Sequence, residues 1–255
     1  MGFSPRSKSH SSAGAAAATQ SLAAPSPAPK YLGFDIGEYP GDTAMRNFIT
    51  PNTPFHFTGF YLPSEANSYN TSWMNKRSFL QGLGYGFAIL YVGRLRTELT
   101  YQRGQTDGDE AVNKAIKAGF TDGVIYLDVE AIPDPAQPPW TPARMDYISG
   151  WLDKVDSYAA WYPGVYCSYL GSDQIKNSKP NMSIRFWVYR LGIPPSPGCT
   201  TAIGQLTPSD SGVSYASTWQ YAIAPTPTTG CSQTWNGTTL HLDLDMSNYE
   251  NPSVP

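Results

Sequence analysis

Short apolar runs, each followed by a stretch with helical spacing, recur along the chain from Tyr31 onward. The runs are rich in Phe, Tyr, Val and Ile and are bounded by Gly, Pro, Asn or Asp, which is typical of strands. Their hydrophobicity is continuous rather than alternating, as in parallel strands that are covered on both faces. The pattern predicts eight strands, over 31–36, 55–62, 87–92, 124–130, 164–169, 185–189, 218–221 and 240–244.

At least four helices are predicted between these strands. The clearest covers 109–118, where apolar residues share one stripe, acidic residues occupy the first turn and Gly119 follows as a stop. A second begins at Thr141-Pro142, and two more are predicted over 73–83 and 170–176. The alternation of strands and helices predicts an α/β fold, a TIM-like (β/α)8 barrel that is irregular in its last third. The alternative is an open doubly wound sheet.

Residues 1–29 differ from the rest, because they are dominated by Ser, Ala and Pro. Such a segment cannot bury enough apolar surface to offset the entropy of ordering, so it is predicted to be a disordered tail. The barrel domain is therefore expected over 30–255. The tail lacks the apolar core of roughly 7–15 residues that a secretory signal needs, so the sequence does not show an export route.

Charge and composition exclude several classes of function. The 255 residues include 17 Lys+Arg and 20 Asp+Glu, for a net charge of -3, and no basic cluster favours nucleic acid as a partner. No apolar run approaches the roughly 18 residues of a transmembrane segment. The chain has no G-x-G-x-x-G, H-E-x-x-H or C-x-x-C motif, so no cofactor and no metal is predicted. The oligomeric state is not indicated.

The three cysteines leave one question open. Cys199 and Cys231 both lie in loop-like sequence, where they are either a disulfide formed in an oxidising compartment or two unrelated thiols. Cys167 lies within an apolar run and is predicted to be a buried small side chain.

The strand over 124–130 ends in two carboxylates, Asp128 and Glu130. Side chains two apart on a strand point to the same face, with Cα atoms roughly 6.6–6.8 Å apart. Carboxylates are costly to bury in a dry helix layer, so both are expected at the mouth of the barrel. Their repulsion raises the pKa of one of them. One protonated acid beside one carboxylate is what cleavage of a glycosidic bond requires.

Other strand ends carry further acids. Asp35 ends the first predicted strand, and Asp243 and Asp245 lie on the last. Because the first and last strands of a closed barrel are neighbours, these carboxylates are predicted to converge. They would also suit a divalent cation, which is a weaker alternative. Aromatic and amide side chains near the same rim are candidates for sugar binding, namely Tyr61, Tyr91, Trp187, Trp219, Gln220 and Tyr221.

The segments Phe34-Asp35-Ile36, Tyr126 to Glu130, Trp219-Gln220-Tyr221 and Leu242 to Asp245 together resemble the family 25 glycoside hydrolases, which are cell-wall muramidases. The segments 33–37 and 57–62 are more similar to a related bacterial family, described as a glycoside-hydrolase-like domain of unknown function. The resemblance extends from Lys30 to about Asn251. It departs at Gly37, where muramidases usually carry a hydroxyl residue, and at Asp245, where they usually carry Asn.

The resemblance implies a barrel that cleaves β-1,4 links in peptidoglycan and acts outside the cell or at its surface. Glu130 matches the general acid and Asp128 its partner carboxylate. Asp35 and Asp243 match the carboxylates of the first and last strands. The alternative is a catalytically inactive carbohydrate-binding barrel that serves as a surface or cargo recognition protein.

Overall fold

The computed structural model describes residues 30–93, 98–129, 139–192, 194–223 and 231–255. The predicted tail over 1–29 lies outside these ranges. So does Glu130, the predicted general acid.

Eight strands form a closed barrel, which confirms the predicted TIM-like architecture. In spatial order the strands are β1, β10, β7, β6, β5, β4, β3 and β2. Their bounds are β1 Tyr31–Asp35, β2 Phe55–Leu62, β3 Gly86–Val92, β4 Gly123–Asp128, β5 Trp161–Ser168, β6 Arg185–Tyr189, β7 Ala216–Ala222 and β10 Asp243–Ser247. The remaining two strands, β8 Ser232–Trp235 and β9 Thr238–His241, form a separate hairpin.

The last barrel strand is reversed. β10 pairs antiparallel with both β1 and β7, whereas the other neighbouring strands of the barrel are parallel. The predicted strand over 240–244 is therefore wrong in its bounds, because it joins the end of β9 to the start of β10. The hairpin before it turns at Asn236-Gly237, where both residues have positive φ, as a two-residue hairpin turn requires. A reversed strand enters the barrel at the mouth, so its first residue, Asp243, lies there.

Helices cover the outside of the sheet. They are α1 Asp42–Phe48, α2 Arg77–Gly82, α3 Tyr101–Lys117, α4 Pro142–Asp156 and α5 Ser172–Ser178. The start predicted for α4 is confirmed, since the Thr141 side chain caps it by accepting from the Arg144 amide. α3 begins eight residues earlier than predicted, so its acidic residues lie within the helix and not in the first turn. Between 191 and the start of β7, the described chain contains one short 3-10 helix, Pro208–Ser211, and no other helix or strand.

Two apolar groups of residues lie on either side of the sheet. The larger fills the space between strands and helices, and the smaller fills the barrel interior around Phe57, Tyr126 and Trp187. Glycines make room for these rings: a Cβ on Gly33 would lie 2.4 Å from the Phe57 ring, and one on Gly164 would lie 2.6 Å from Tyr126. The interior is therefore packed with aromatic rings up to the level of the mouth.

The base of the barrel is closed by the segment 250–255, here called the C-terminal strap. The Ser253 amide donates to the Phe87 carbonyl, and the Val124 amide donates to the Ser253 carbonyl. The side chain of Asn251 accepts from the Phe87 amide at 2.9 Å, and that of Ser253 accepts from the Ile89 amide at 2.8 Å. The strap thus lies between the lower ends of β3 and β4 and satisfies backbone groups that these strands leave unpaired there.

Cys199 and Cys231 form a disulfide, which decides between the two alternatives that the sequence leaves open. Cys167 is buried and free, as predicted. Within the described ranges, no helix has the length and hydrophobicity needed to cross a membrane.

Candidate active site

Three carboxylates from three strands lie around one tyrosine at the mouth of the barrel. Asp35 ends β1, Asp128 ends β4, and Asp243 begins β10 directly opposite Asp35. The Tyr61 hydroxyl, from β2, donates to Asp35 Oδ1. Burial raises the pKa of Tyr61 well above its usual value, and the nearby charges of Asp35, Asp128 and Asp243 raise it further. Tyr61 therefore remains a neutral donor among acids.

Gln220 joins the first and last strands. Its Nε2 donates to Asp35 Oδ2 at 2.9 Å and to Asp243 Oδ2 at 3.3 Å. Its Oε1 accepts from the Tyr166 hydroxyl at 2.7 Å, and this contact fixes which end of the amide faces the acids. One neutral side chain thus bridges two carboxylates.

Below this layer, Asp245 is fully buried in the barrel. It pairs in register with Gly33, one inward position deeper than the Asp35–Asp243 pair. Its Oδ1 accepts from Trp187 Nε1 at 2.9 Å. Burial and the adjacent Asp35 raise the pKa of Asp245 well above its usual value. Trp187 therefore lies at the bottom of the cluster, where it is fully buried and donates a hydrogen bond to Asp245.

Asp35 is 2% exposed, so it contacts protein groups more than solvent. Burial raises its pKa, while hydrogen bonds from Tyr61, Gln220 and Asp245 act in the opposite direction. Each of these bonds favours the ionised form. A Cβ on Gly59 would lie 2.6 Å from the Asp35 Cβ, so glycine at this position of β2 allows Asp35 to occupy its place.

The end of β4 is held from outside the barrel by α4. The guanidinium of Arg144, which is buried, donates to the Val129 carbonyl and stacks on the Trp140 ring at 4.1 Å. Trp140 in turn donates its amide to Gln174 at 2.8 Å and packs on Gly171. The residues on either side of 130–138 are therefore anchored to the barrel wall. Glu130 follows directly on one of these anchors in sequence.

A model of one protein family, described as the Rv2525c-like, glycoside hydrolase-like domain, matches residues 47–251. The chain belongs to this family. No match was found among curated protein sequences.

The barrel of this Rv2525c-like domain is shared with several solved structures. An uncharacterized protein from B. stearothermophilus is 15% identical, with a TM-score of 0.62 over 85% of this chain and 95% of that one. The spore cortex lytic enzyme SleM of Clostridium perfringens is 14% identical, with a TM-score of 0.60 over 89% and 70%. A bacterial lysozyme from Streptomyces coelicolor is 15% identical, with a TM-score of 0.58 over 86% and 92%. The fold is thus shared with lysozymes and with family 25 glycosyl hydrolases.

Several predicted substrate-binding residues of the Rv2525c-like domain lie elsewhere. Trp219 and Tyr221 alternate with Gln220 along β7, so they point out of the barrel and are fully buried in the outer core. The Trp219 indole donates to the Arg190 carbonyl, and the Tyr221 hydroxyl donates to the Thr200 carbonyl. Tyr91 is also outside the barrel, bonded to Glu110 of α3. The prediction that all three lie at the rim is wrong, because strand alternation turns their side chains away from the barrel interior.

Tyr166 and Tyr189 are members of the cluster that the sequence interpretation missed. Their rings lie 5.5 Å apart, and Tyr166 also contacts Trp187. Tyr189 ends β6 at the mouth and is partly exposed. The signal for both was the same alternation, since Tyr166 shares the inward parity of Gly164, and Tyr189 that of Trp187.

The alternative of a divalent cation finds no support. Among the residues that the structure describes, no group of three or more His, Cys, Asp or Glu side chains is arranged to hold a metal ion. Two of the oxygens that such a site would use are taken, one of Asp35 by Gln220 and one of Asp245 by Trp187.

Proposed function

We propose that this protein is a muramidase-type glycosidase that cleaves peptidoglycan glycan strands at the mouth of its barrel. The observation that carries the proposal is the convergence of Asp35, Asp128 and Asp243 on the Tyr61 hydroxyl at the carboxyl end of the strands. Active sites of such barrels lie at this end. The similarity in fold to lysozymes and family 25 glycosyl hydrolases supports peptidoglycan as the class of substrate.

Glu130 is proposed as the general acid that protonates the leaving oxygen as the C1–O bond breaks, on the sequence argument alone. The positive charge that develops on the sugar is then stabilised by the carboxylates of Asp128, Asp35 and Asp243. Water supplies the hydroxyl that completes the new C1–O bond, and its proton returns the acid to its starting state. Asp35 suits an electrostatic role, because Tyr61 and Gln220 already hold its oxygens in place.

The partly exposed rings at the mouth are proposed to bind sugar. Tyr189 offers a ring supported from below by Tyr166, and Tyr61 lies across the cluster on β2. Apolar faces of pyranose rings pack on such aromatic surfaces. These two residues replace Trp219, Tyr221 and Tyr91 in the proposed site.

We infer that the protein acts outside the cytoplasm, at the cell surface or beyond. The Cys199–Cys231 disulfide supports this, because disulfides persist in oxidising compartments. Peptidoglycan, the proposed substrate, also lies outside the cytoplasm.

The test is digestion of purified cell walls, followed by turbidity and by mass spectrometry of the released muropeptides. The wild type should release fragments with new reducing ends, while Glu130→Gln and Asp128→Asn should lower the rate at least about 100-fold. Glu250→Gln is the matched control, because Glu250 is exposed at the base of the barrel and should leave the rate unchanged. Equal rates for wild type and Glu130→Gln would refute the assignment.

A second candidate is a carbohydrate-binding barrel without turnover. It is favoured by the burial of Asp35 and by its three protein partners, which leave this carboxylate little contact with solvent. In that case the wild type would sediment with insoluble peptidoglycan but release no fragments. Glu130→Gln would bind as well as the wild type.

A further inference from the structure

The carboxyl of Asp245 has one oxygen without a hydrogen-bond donor among the described residues, and protonation would turn this oxygen into a donor. Its Oδ1 accepts from the Trp187 indole, but its Oδ2 is buried and accepts from no donor among the residues that the structure describes. The group adjacent to it is another carboxyl, that of Asp35. An ionised carboxylate here would have a buried oxygen without a partner beside a second negative charge, which is costly.

Within the described ranges, no basic side chain is paired with either of the two acids to offset their charge. The groups around the pair come from five strands, namely Tyr61 from β2, Tyr166 from β5, Trp187 from β6, Gln220 from β7 and Asp243 from β10. Neither Asp35 nor Asp245 forms an ion pair with a lysine, arginine or histidine of the described chain.

The two acids differ in the donors they receive. Asp35 accepts from the Tyr61 hydroxyl and from the Gln220 amide, and both donors favour its ionised form. Among the described residues, Trp187 alone donates to Asp245, and it does so at one oxygen. A single proton in this pair is therefore more stable on Asp245, from where its O–H donates to Asp35.

We propose that Asp245 is a neutral carboxylic acid at pH 7 that donates its proton to Asp35, and that it is a positioning residue for Asp35. Asp35 then receives donors from three strands, through Tyr61, Gln220 and Asp245, and is held as an oriented anion. An asparagine at 245 satisfies the same two contacts, because its amide donates to Asp35 and its carbonyl accepts from Trp187. The charge state does not depend on the proposed glycosidase function, whereas the positioning role in catalysis does.

The first test is the pH dependence of stability. A group that is protonated in the fold but ionised in the unfolded chain lowers stability as pH rises above its unfolded pKa. Asp245→Asn removes this penalty. The ratio of its folding constant to that of the wild type should therefore grow by up to about tenfold per pH unit above pH ~4, up to the pKa of the folded pair.

Three variants measured by urea unfolding between pH 4 and 8 make the test decisive. Asp245→Asn should gain stability over the wild type as pH rises, and Asp156→Asn, at an exposed position, should not. Asp35→Asn should lose stability, since its amide would face the Tyr61 and Gln220 donors. A flat ratio for Asp245→Asn, its failure to fold, or a gain for Asp35→Asn in its place would each overturn the proposal.

A spectroscopic measurement reports on the same proton. The infrared carbonyl band of a neutral carboxylic acid should be present in the wild type at pH 7 and absent in Asp245→Asn. If hydrolysis is established, Asp245→Ala should lower kcat more than it changes KM, and Asp245→Asn should retain more activity than Asp245→Ala. A wild type without activity would count against the proposed function and leave the stability result intact.

Discussion

Gln220 shows how much of the cluster depends on one side chain. It lies between Asp35 and Asp243 and gives each a proton of the same amide nitrogen, while Tyr166 holds its other end. Asp35 and Asp243 lie opposite each other on paired strands, where two carboxylates repel each other. The amide of Gln220 offsets this repulsion because it donates to both. A residue at position 220 must donate hydrogen bonds to both acids and accept one from the Tyr166 hydroxyl.

The isosteric change Gln220→Glu tests this requirement. Glutamate keeps the acceptor for Tyr166 but adds a carboxylate between two others, so its pKa in the fold should be raised. Stability relative to the wild type should be lost as pH rises from 5 to 8, by an amount on the order of 2–4 kcal/mol at pH 8.

Urea unfolding at both pH values measures this loss. Gln102→Glu, at an exposed position of α3, is the control and should differ little from the wild type. An equal effect of Gln220→Glu at pH 5 and pH 8 would show that repulsion between the acids is not the cause.

Single residues also show what the sequence could predict of the site. Asp35, Asp128 and Asp243 could be predicted to meet, because a strand end fixes the position of its side chain in a closed barrel. The rim position predicted for Trp219-Gln220-Tyr221 is correct only for Gln220, because its side chain points into the barrel while its two neighbours point outward. The role of Asp245 depends on contacts with Trp187 and Asp35 from other strands, which no local pattern reveals.

At the scale of elements, the close packing of α3 against α4 explains why the predicted start of α3 is wrong. The sequence places the start of the helix at 109, where the apolar stripe and the acidic residues begin, although Gly104 and Gly108 have low helix propensity and lie before it. In the structure these glycines lie within α3, where α4 comes close. A Cβ on Gly104 would lie 2.1 Å from the Tyr147 carbonyl oxygen, and one on Gly150 would lie 2.0 Å from the Tyr101 carbonyl oxygen.

Gly104→Ala and Gly150→Ala should therefore force the helices apart and each cost about 2–3 kcal/mol, despite the better helix propensity of alanine. Gly82→Ala in α2 is the matched control, since nothing lies within 4 Å of a Cβ there. It should be neutral or stabilising by up to about 1 kcal/mol. Thermal unfolding followed by circular dichroism measures all three. A cost at Gly82 similar to that at Gly104 would contradict the packing explanation.

The strands were predicted well where burial is continuous and poorly where chain direction changes. β2 and β6 match their predicted bounds, because turn residues flank both runs. The hairpin of β8 and β9 was missed, although Asn236-Gly237 is a strong turn signal. The residues of β10 do not indicate its reversed direction. The direction follows from the preceding hairpin, after which the chain enters the barrel at the mouth.

At the scale of the whole molecule, the C-terminal strap completes the barrel wall that β3 and β4 leave open at the base. Ser253→Ala and Asn251→Ala each remove the acceptor of a backbone amide, that of Ile89 or of Phe87. Each should cost about 1–3 kcal/mol, and the exchange of the affected amide with solvent should speed up.

Hydrogen exchange resolved by NMR measures the two amides separately. Ser183→Ala, at an exposed position near the base, should change neither stability nor exchange. Unchanged protection of Ile89 in Ser253→Ala would show that the strap adds nothing to the closure of the wall.

The reversed direction of β10 also determines which end of the barrel the chain leaves by. A parallel eighth strand would end among the loops at the mouth, whereas here the chain leaves the barrel at the opposite end, beside the strap. A reporter domain fused after Pro255 would therefore lie at the closed end of the barrel, away from the acidic side chains at the mouth.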